Sequence, residues 1–204
     1  MIKHLIFDFG GVFLDLGGKH SGIPSQLAVI FNIPLDQADK IWSENKIDLL
    51  TGKEAPKDFI KRISKLLKIS LDIEKANQEW ERLNKMEKSQ INWDLVDYVK
   101  SLKSKYQIHI LTDTINVDAG NSAWFVDISK HFQNIFKSFE IGSKKPDKNS
   151  FLYVLKKIGA NPDECVFVDD FQKNVESANE IGLKGILYSN LSQLKKDFSV
   201  LEIN

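Results

Sequence analysis

Cysteine is almost absent from this chain: of 204 residues, only Cys165 carries a thiol. One thiol excludes a disulfide framework and any zinc site built from several cysteines. An excess of one charge is missing too. The 28 Lys and Arg residues balance 28 Asp and Glu, so no bulk field draws the chain to nucleic acid or to an anionic membrane. No apolar run approaches the ~18 residues of a membrane span. The first, Leu5-Ile6-Phe7, is broken at Asp8, which argues against a secretory leader. Five prolines and 11 glycines are too few for a repetitive or disordered architecture. With 42% hydrophobic and 27% charged residues, a cytoplasmic globular protein is expected, acting as a monomer or homodimer.

What is present is a series of short apolar runs, each ended by polar residues or glycine. They are Leu5-Ile6-Phe7-Asp8-Phe9 before Gly10-Gly11, Ile108-His109-Ile110-Leu111 before Thr112-Asp113, and a weaker Ser138-Phe139-Glu140-Ile141 before Gly142. Cys165-Val166-Phe167-Val168 before Asp169-Asp170, and Gly185-Ile186-Leu187-Tyr188, complete the series. Near-continuous hydrophobicity over four or five residues suits strands buried on both faces of a parallel sheet. Helix-period stripes lie between them: Leu95, Val96, Val99 and Leu102; Phe151, Leu152, Leu155 and Ile158; Val175, Ala178 and Ile181 before Gly182. The alternation predicts an α/β fold with a Rossmann-like, doubly wound parallel sheet.

One stretch breaks the alternation. Residues 16–92 show helical periodicity without a convincing strand. Thr51-Gly52-Lys53-Glu54 reads as a capping box ahead of a face made by Phe59, Ile60, Ile63, Leu66 and Leu67. The stretch is too long for a crossover, so we expect an all-helical subdomain at 16–92 inserted into a core of 1–15 and 93–204. Hinges are expected near Leu14–Gly18 and Ser89–Asn92. Trp42, Trp80 and Trp93 are expected to pack in or beside it. Lys53, Lys57, Lys61, Lys65 and Lys68 read as the solvated side of one of its helices. His4, His109 and Cys165 read as packing residues, whereas His20 lies near the hinge with no role assigned.

Open α/β sheets bind ligands beyond the carboxyl ends of their strands. The polar residues with chemical potential collect at those ends: Asp8, Thr112, Lys145, and the pair Asp169 and Asp170. Four segments carry a resemblance: Phe7-Asp8-Phe9-Gly10-Gly11-Val12, Leu111-Thr112-Asp113, Lys144-Lys145-Pro146-Asp147, and Phe167-Val168-Asp169-Asp170 running on to Asn174-Val175. In order and spacing they resemble the four motifs of the haloacid dehalogenase superfamily, and the helical insertion resembles its C1 cap. The resemblance implies a hydrolase of a small phosphorylated metabolite, with Asp8 as the nucleophile and Mg²⁺ as cofactor. Asp8, Asp170 and the carbonyl of Gly10 would hold the ion, with Asp169 binding a metal water or Lys145. Mg²⁺ prefers oxygen ligands at ~2.0–2.1 Å, and these groups supply them. Lys145 would neutralise the nucleophile and a phosphate oxygen. Thr112 and the Asp113 amide would donate to the phosphoryl oxygens. Asn174 is expected either to hold a metal ligand or hinge, or to cap its helix.

One position departs from the pattern. Phosphatases of this superfamily usually carry a second Asp two residues after the nucleophile, acting as general acid and base, and here that residue is Gly10. Some phosphatase branches resemble this chain in having Gly there. The loss costs ~10²–10⁴-fold for leaving groups that need a proton and little for those that depart without one. Asp15 is the nearest substitute acid in sequence. A 2-haloacid dehalogenase shares the fold but needs no metal, and the acid pair counts against it. A non-catalytic binding protein that has lost its general acid is the remaining alternative. A receiver domain would place its acid pair near the first strand, and a dinucleotide fold would need a Gly-x-Gly-x-x-Gly that Phe9–Leu14 does not supply.

Overall fold

A computed structural model of the chain describes residues 1–15, 22–86, 90–117 and 128–204, with Asp15, Lys85, Met86 and Gln90 described in backbone only. Five parallel strands form the central sheet: β1 (His4–Phe7), β4 (Gln107–Thr112), β5 (Asn134–Lys137), β6 (Cys165–Asp169) and β7 (Lys184–Leu187), in the order β5-β4-β1-β6-β7. The chain steps outward from β1 on one side through β4 and β5, then crosses to β6 and β7 on the other. Strand order therefore reverses around β1, the place where open sheets leave a crevice.

Alternating residues of the strands feed two cores. Leu5, Phe7, Ile108, Ile110, Val166 and Val168 pack under α6 (Trp93–Leu102) and α10 (Leu191–Val200), which bring Leu95, Val96, Val99, Leu194 and Phe198. Ile6, Cys165 and Phe167 pack on the opposite face against α8 (Lys148–Ile158) and α9 (Gln172–Glu180), which bring Phe151, Val154, Leu155 and Ala178. Burial on both faces explains the unbroken apolar strands. The stripe expected on α8 is shifted, because Leu152 is half exposed and Val154 takes its place in the core.

Between β1 and β4 the chain forms α1 (Ile23–Phe31), α2 (Leu35–Asn45), α3 (Ile47–Leu50), α4 (Pro56–Leu67) and α5 (Ile73–Met86). Their apolar faces enclose a third cluster, with Leu27, Phe31, Phe59, Ile60, Ile63 and Trp80 at its centre. Trp42 joins it, and the Trp80 indole donates to Gln26 Oε1 at 2.9 Å. Trp93 is not packed there but lies half exposed at the start of α6. Ile115 and Val117, from the segment after β4, also lie in this cluster. The helices join the sheet through a two-stranded antiparallel ribbon, β2 (Leu14–Asp15) with β3 (Gln90–Ile91), and the Asn92 amide continues it to the Phe13 carbonyl. The lysines of α4 are exposed, and Lys57 pairs with Glu74 at 2.6 Å. Among the described residues no helix is long and apolar enough to cross a membrane.

Two further local expectations fail. Ser138–Ile141 is not a strand but a one-turn helix, α7, and the strand is the preceding Asn-Ile-Phe-Lys. An edge strand pairs on one side only and tolerates polar residues, so its apolar signal is weak. Thr51–Glu54 is not a capping box. The Thr51 hydroxyl donates back to the Ile47 carbonyl, Glu54 pairs with Arg62 at 2.8 Å, and α4 starts at Pro56.

Candidate active site

The site forms where β1, β4 and β6 end together. Phe7 is in register with Ile110 on one side and Val168 on the other. Asp8 therefore leaves the sheet beside Asp169, its amide donating to the Val168 carbonyl at 2.8 Å. Thr112, the last residue of β4, is buried at the same edge. Beyond Asp8 the backbone turns sharply: the amides of Phe13 and Leu14 both reach the Phe9 carbonyl, and Gly11 takes φ 74°. A Cβ on Gly11 would stand 2.0 Å from Asp170 Oδ2. Glycine supplies the backbone conformation and the room for that carboxylate.

Lys145 is the hub. It is 2% exposed, and its ammonium lies 2.7 Å from Asp8 Oδ1 and 2.7 Å from Asp169 Oδ2. Asp169 is fully buried and spends its carboxylate on protein donors. Besides Lys145 it accepts from the Phe171 amide at 2.8 Å and from the Asn174 side chain at 3.1 and 3.0 Å. Of the two partners expected for Asp169, Lys145 is therefore the one in contact. Asn174 holds Asp169 rather than capping its own helix, and its place one turn into α9 is the sequence signal for that. The Lys145 backbone is anchored too, since its amide donates to Asp113 Oδ1 at 3.1 Å. Ser138 ties the neighbouring segment down, exchanging 3.0 Å hydrogen bonds with the amide and carbonyl of Thr114.

Two buried carboxylates here share one ammonium. Burial works against the Lys145 charge, but Asp8, Asp169 and Asp113 outweigh it and raise the ammonium above the ordinary lysine value. Burial is also the largest influence on Asp8 and pushes it up to about 8, with Lys145 opposing and Asp169 reinforcing. The cluster is thus short of positive charge, and a further cation would favour the carboxylate form of Asp8. Asp8, Asp169 and Asp170 each offer an oxygen, and the three atoms lie within 4.8 Å of one another. An all-oxygen set suits a hard divalent ion such as Mg²⁺, and the glycine at position 11 leaves Asp170 room to approach.

Asp15, the expected substitute for the acid missing at Gly10, is described only in its backbone pairing with Gln90, and His20, to which no role was assigned, lies outside the described residues. No role was expected for Lys46 or for Lys144. Lys144 lies 3.6 Å from Asp113 Oδ2 at the rim of the site.

The profile of the haloacid dehalogenase-like hydrolases matches residues 5–188. A D-ribitol-5-phosphate phosphatase of Bacteroides thetaiotaomicron is 25% identical, over 98% of this chain and 98% of its own. Among solved structures, a haloacid dehalogenase family enzyme from the same organism, in complex with magnesium and inorganic phosphate, superposes with TM-score 0.72 at 21% identity, over 95% of this chain and 99% of its own. A 2-haloacid dehalogenase from Pseudomonas syringae also superposes with TM-score 0.72, at 18% identity over 98% of this chain and 100% of its own. Backbone likeness therefore does not separate the two chemistries. It does agree with the matched profile on the lineage: this chain belongs to the haloacid dehalogenase-like hydrolases.

Proposed function

We propose that the protein is a Mg²⁺-dependent phosphatase of a small phosphorylated metabolite, and that Asp8 is its nucleophile. The observation that carries this reading is the cluster itself: Asp8, Asp169 and Asp170 converge around one buried lysine at the point where strand order reverses. Asp8, Asp170 and the Gly10 carbonyl would hold the ion, with Asp169 acting at one remove through Lys145. When bound, Mg²⁺ supplies positive charge that neutralises the nucleophile and the phosphoryl oxygens.

The protein's own groups account for the remaining steps. Lys145 holds one oxygen of Asp8 and faces the phosphate with its charge, while Thr112 and the Asp113 amide donate to phosphoryl oxygens. An Asp8 oxygen attacks phosphorus, the ester P–O bond breaks, and its electron pair leaves with the alcohol oxygen. Water then attacks the aspartyl phosphate, freeing inorganic phosphate and restoring the Asp8 carboxylate. The helices of 16–92 act as a cap over the crevice, turning on the ribbon of β2 and β3 and excluding bulk water during the first transfer. Gly10 offers no proton to the departing oxygen, so rates should depend strongly on leaving-group pKa.

A panel of aryl and alkyl phosphates, run with and without Mg²⁺ on the wild type and Asp8→Asn, tests the reading. Turnover that needs both the metal and Asp8, and falls steeply from aryl to alkyl esters, is expected. Metal-independent chloride release from 2-chloropropionate would replace it with the dehalogenase reading. No turnover of 4-nitrophenyl phosphate with Mg²⁺ would mark a binding protein.

A further inference from the structure

Lys46 stands at the bend between α2 and α3, half-buried, its ammonium 6.0 Å from the centre of the Trp42 ring. Among the described residues its ammonium has no hydrogen bond and no ion pair. The bend is pressed onto the sheet domain: α3 packs on α7, and Gly52 comes so close that a Cβ there would lie 2.2 Å from the Phe139 carbonyl oxygen. α7 leads directly into Lys144 and Lys145. Burial lowers the Lys46 ammonium, Lys144 lowers it further, and Asp113 works the other way. The packing of α3 on α7 brings the bend that carries Lys46 to the side of the crevice where Lys144 and Asp113 stand, and the charges of those two residues act on it.

The charges at that rim do not balance. Asp113 gives Oδ1 to the Lys145 amide and faces the Lys144 ammonium at 3.6 Å through Oδ2. Lys144 also donates to the Lys145 carbonyl. The Lys145 charge is already committed to Asp8 and Asp169. Asp113 is the one carboxylate among the charges acting on Lys46, and it already faces Lys144, so a single carboxylate serves two partly buried ammonium groups. A surplus charge out of bulk water calls for a counter-ion. Lys46 belongs to the helices that the proposed reading sets over the crevice, on the side of the alcohol portion of an ester whose phosphorus sits at Asp8.

We propose that Lys46 and Lys144 bind a second anionic group, a carboxylate or a phosphate, on the alcohol portion of the substrate. This rests on the phosphatase reading and narrows its substrate class to phosphate monoesters that carry another negative charge. Neutral polyol phosphates of the same size would leave both ammonium groups without an anion.

The test compares 3-phosphoglycerate with glycerol 3-phosphate, and a sugar bisphosphate with its monophosphate, on the Mg²⁺-loaded wild type, Lys46→Gln and Lys46→Arg. The wild type should prefer the doubly anionic member of at least one pair, which also tells carboxylate from phosphate. Lys46→Gln should lower that preference by about tenfold or more, through KM of the charged ester, as expected for losing a charge-assisted contact. Lys46→Arg should restore most of it. Calorimetric binding of the preferred ester to Asp8→Asn should weaken by the same factor on adding Lys46→Gln. Turnover of 4-nitrophenyl phosphate with no preference in either pair, or a preference untouched by Lys46→Gln, overturns this inference and leaves the phosphatase reading standing. No turnover of any ester with Mg²⁺ overturns both.

Discussion

A lysine removed from water is tolerated only where its charge is answered, and Lys145 is answered by Asp8 and Asp169. The second carboxylate is itself held by Asn174 and the Phe171 amide, so Asp8 is positioned by a chain of residues outside its own loop. Two glycines beside it give separate predictions. Gly10→Asp restores a carboxyl group where the family keeps its acid. It should raise the alkyl-to-aryl ratio of kcat/KM by about 10²-fold, because only poor leaving groups need the proton. An unchanged ratio would mean that the proton already comes from another group. Gly11→Ala puts a methyl 2.0 Å from Asp170 Oδ2 at φ 74°. That should weaken Mg²⁺ at least about tenfold by calorimetry and lower urea stability by about 1–2 kcal/mol. Full Mg²⁺ affinity in that variant would remove Asp170 from the ligand set.

Among the elements, β1 and β4 carry an unusual pairing at the end of the sheet away from the site. His4 Nδ1 and His109 Nε2 are 3.2 Å apart, and the Asn134 amide lies 3.1 Å from His109 Nδ1. The Asn134 NH₂ can only donate, so His109 accepts at Nδ1 and donates from Nε2 to His4. Burial, then the neighbouring His4, lowers His109 to about 4. The unfolded chain takes up that proton near pH 6.5 and the folded one does not. The contribution is therefore complete above pH 6.5 and is lost as pH falls toward 4. Urea unfolding at pH 7 and 4.5 should show a loss about 2–3 kcal/mol larger in the wild type than in His109→Leu. Equal losses would show that the pair takes protons in the folded state. β5, beside β4, shows why edges are hard to read. Its Asn134 and Lys137 mask the strand, and the apolar run that follows it folds instead into α7.

Across the whole molecule, the helices and the sheet do not have wholly separate interiors. Ile115 and Val117 leave the end of β4 only a few residues after Thr112 and lie in the helical cluster, and Asn84 on α5 donates to the Val117 carbonyl at 2.6 Å. Packing of the helices is thereby joined to the segment carrying Thr112 and Asp113. Val117→Ala should lower stability by about 1–3 kcal/mol and shift the urea midpoints read by tryptophan fluorescence and by far-UV circular dichroism together. A shift in fluorescence alone would mean that the two parts unfold independently.

The local order of residues was enough to indicate the parallel sheet, the helical block between its first two long strands, and the polar residues at the strand ends. Doubly buried strands and amphipathic helices write their environment into short-range hydrophobic spacing, and a ligand crevice must lie at carboxyl ends. Spacing along the chain could not show that Asp169 spends its carboxylate on Lys145, or that Asp113 faces Lys144 and holds the Lys145 amide. Those relations join residues 24 to 32 positions apart, and only the folding of the loops at the end of the sheet sets their distances. Charge balance at the site is for the same reason a property of the folded molecule: each of these side chains, taken alone in the sequence, is an ordinary solvated ion.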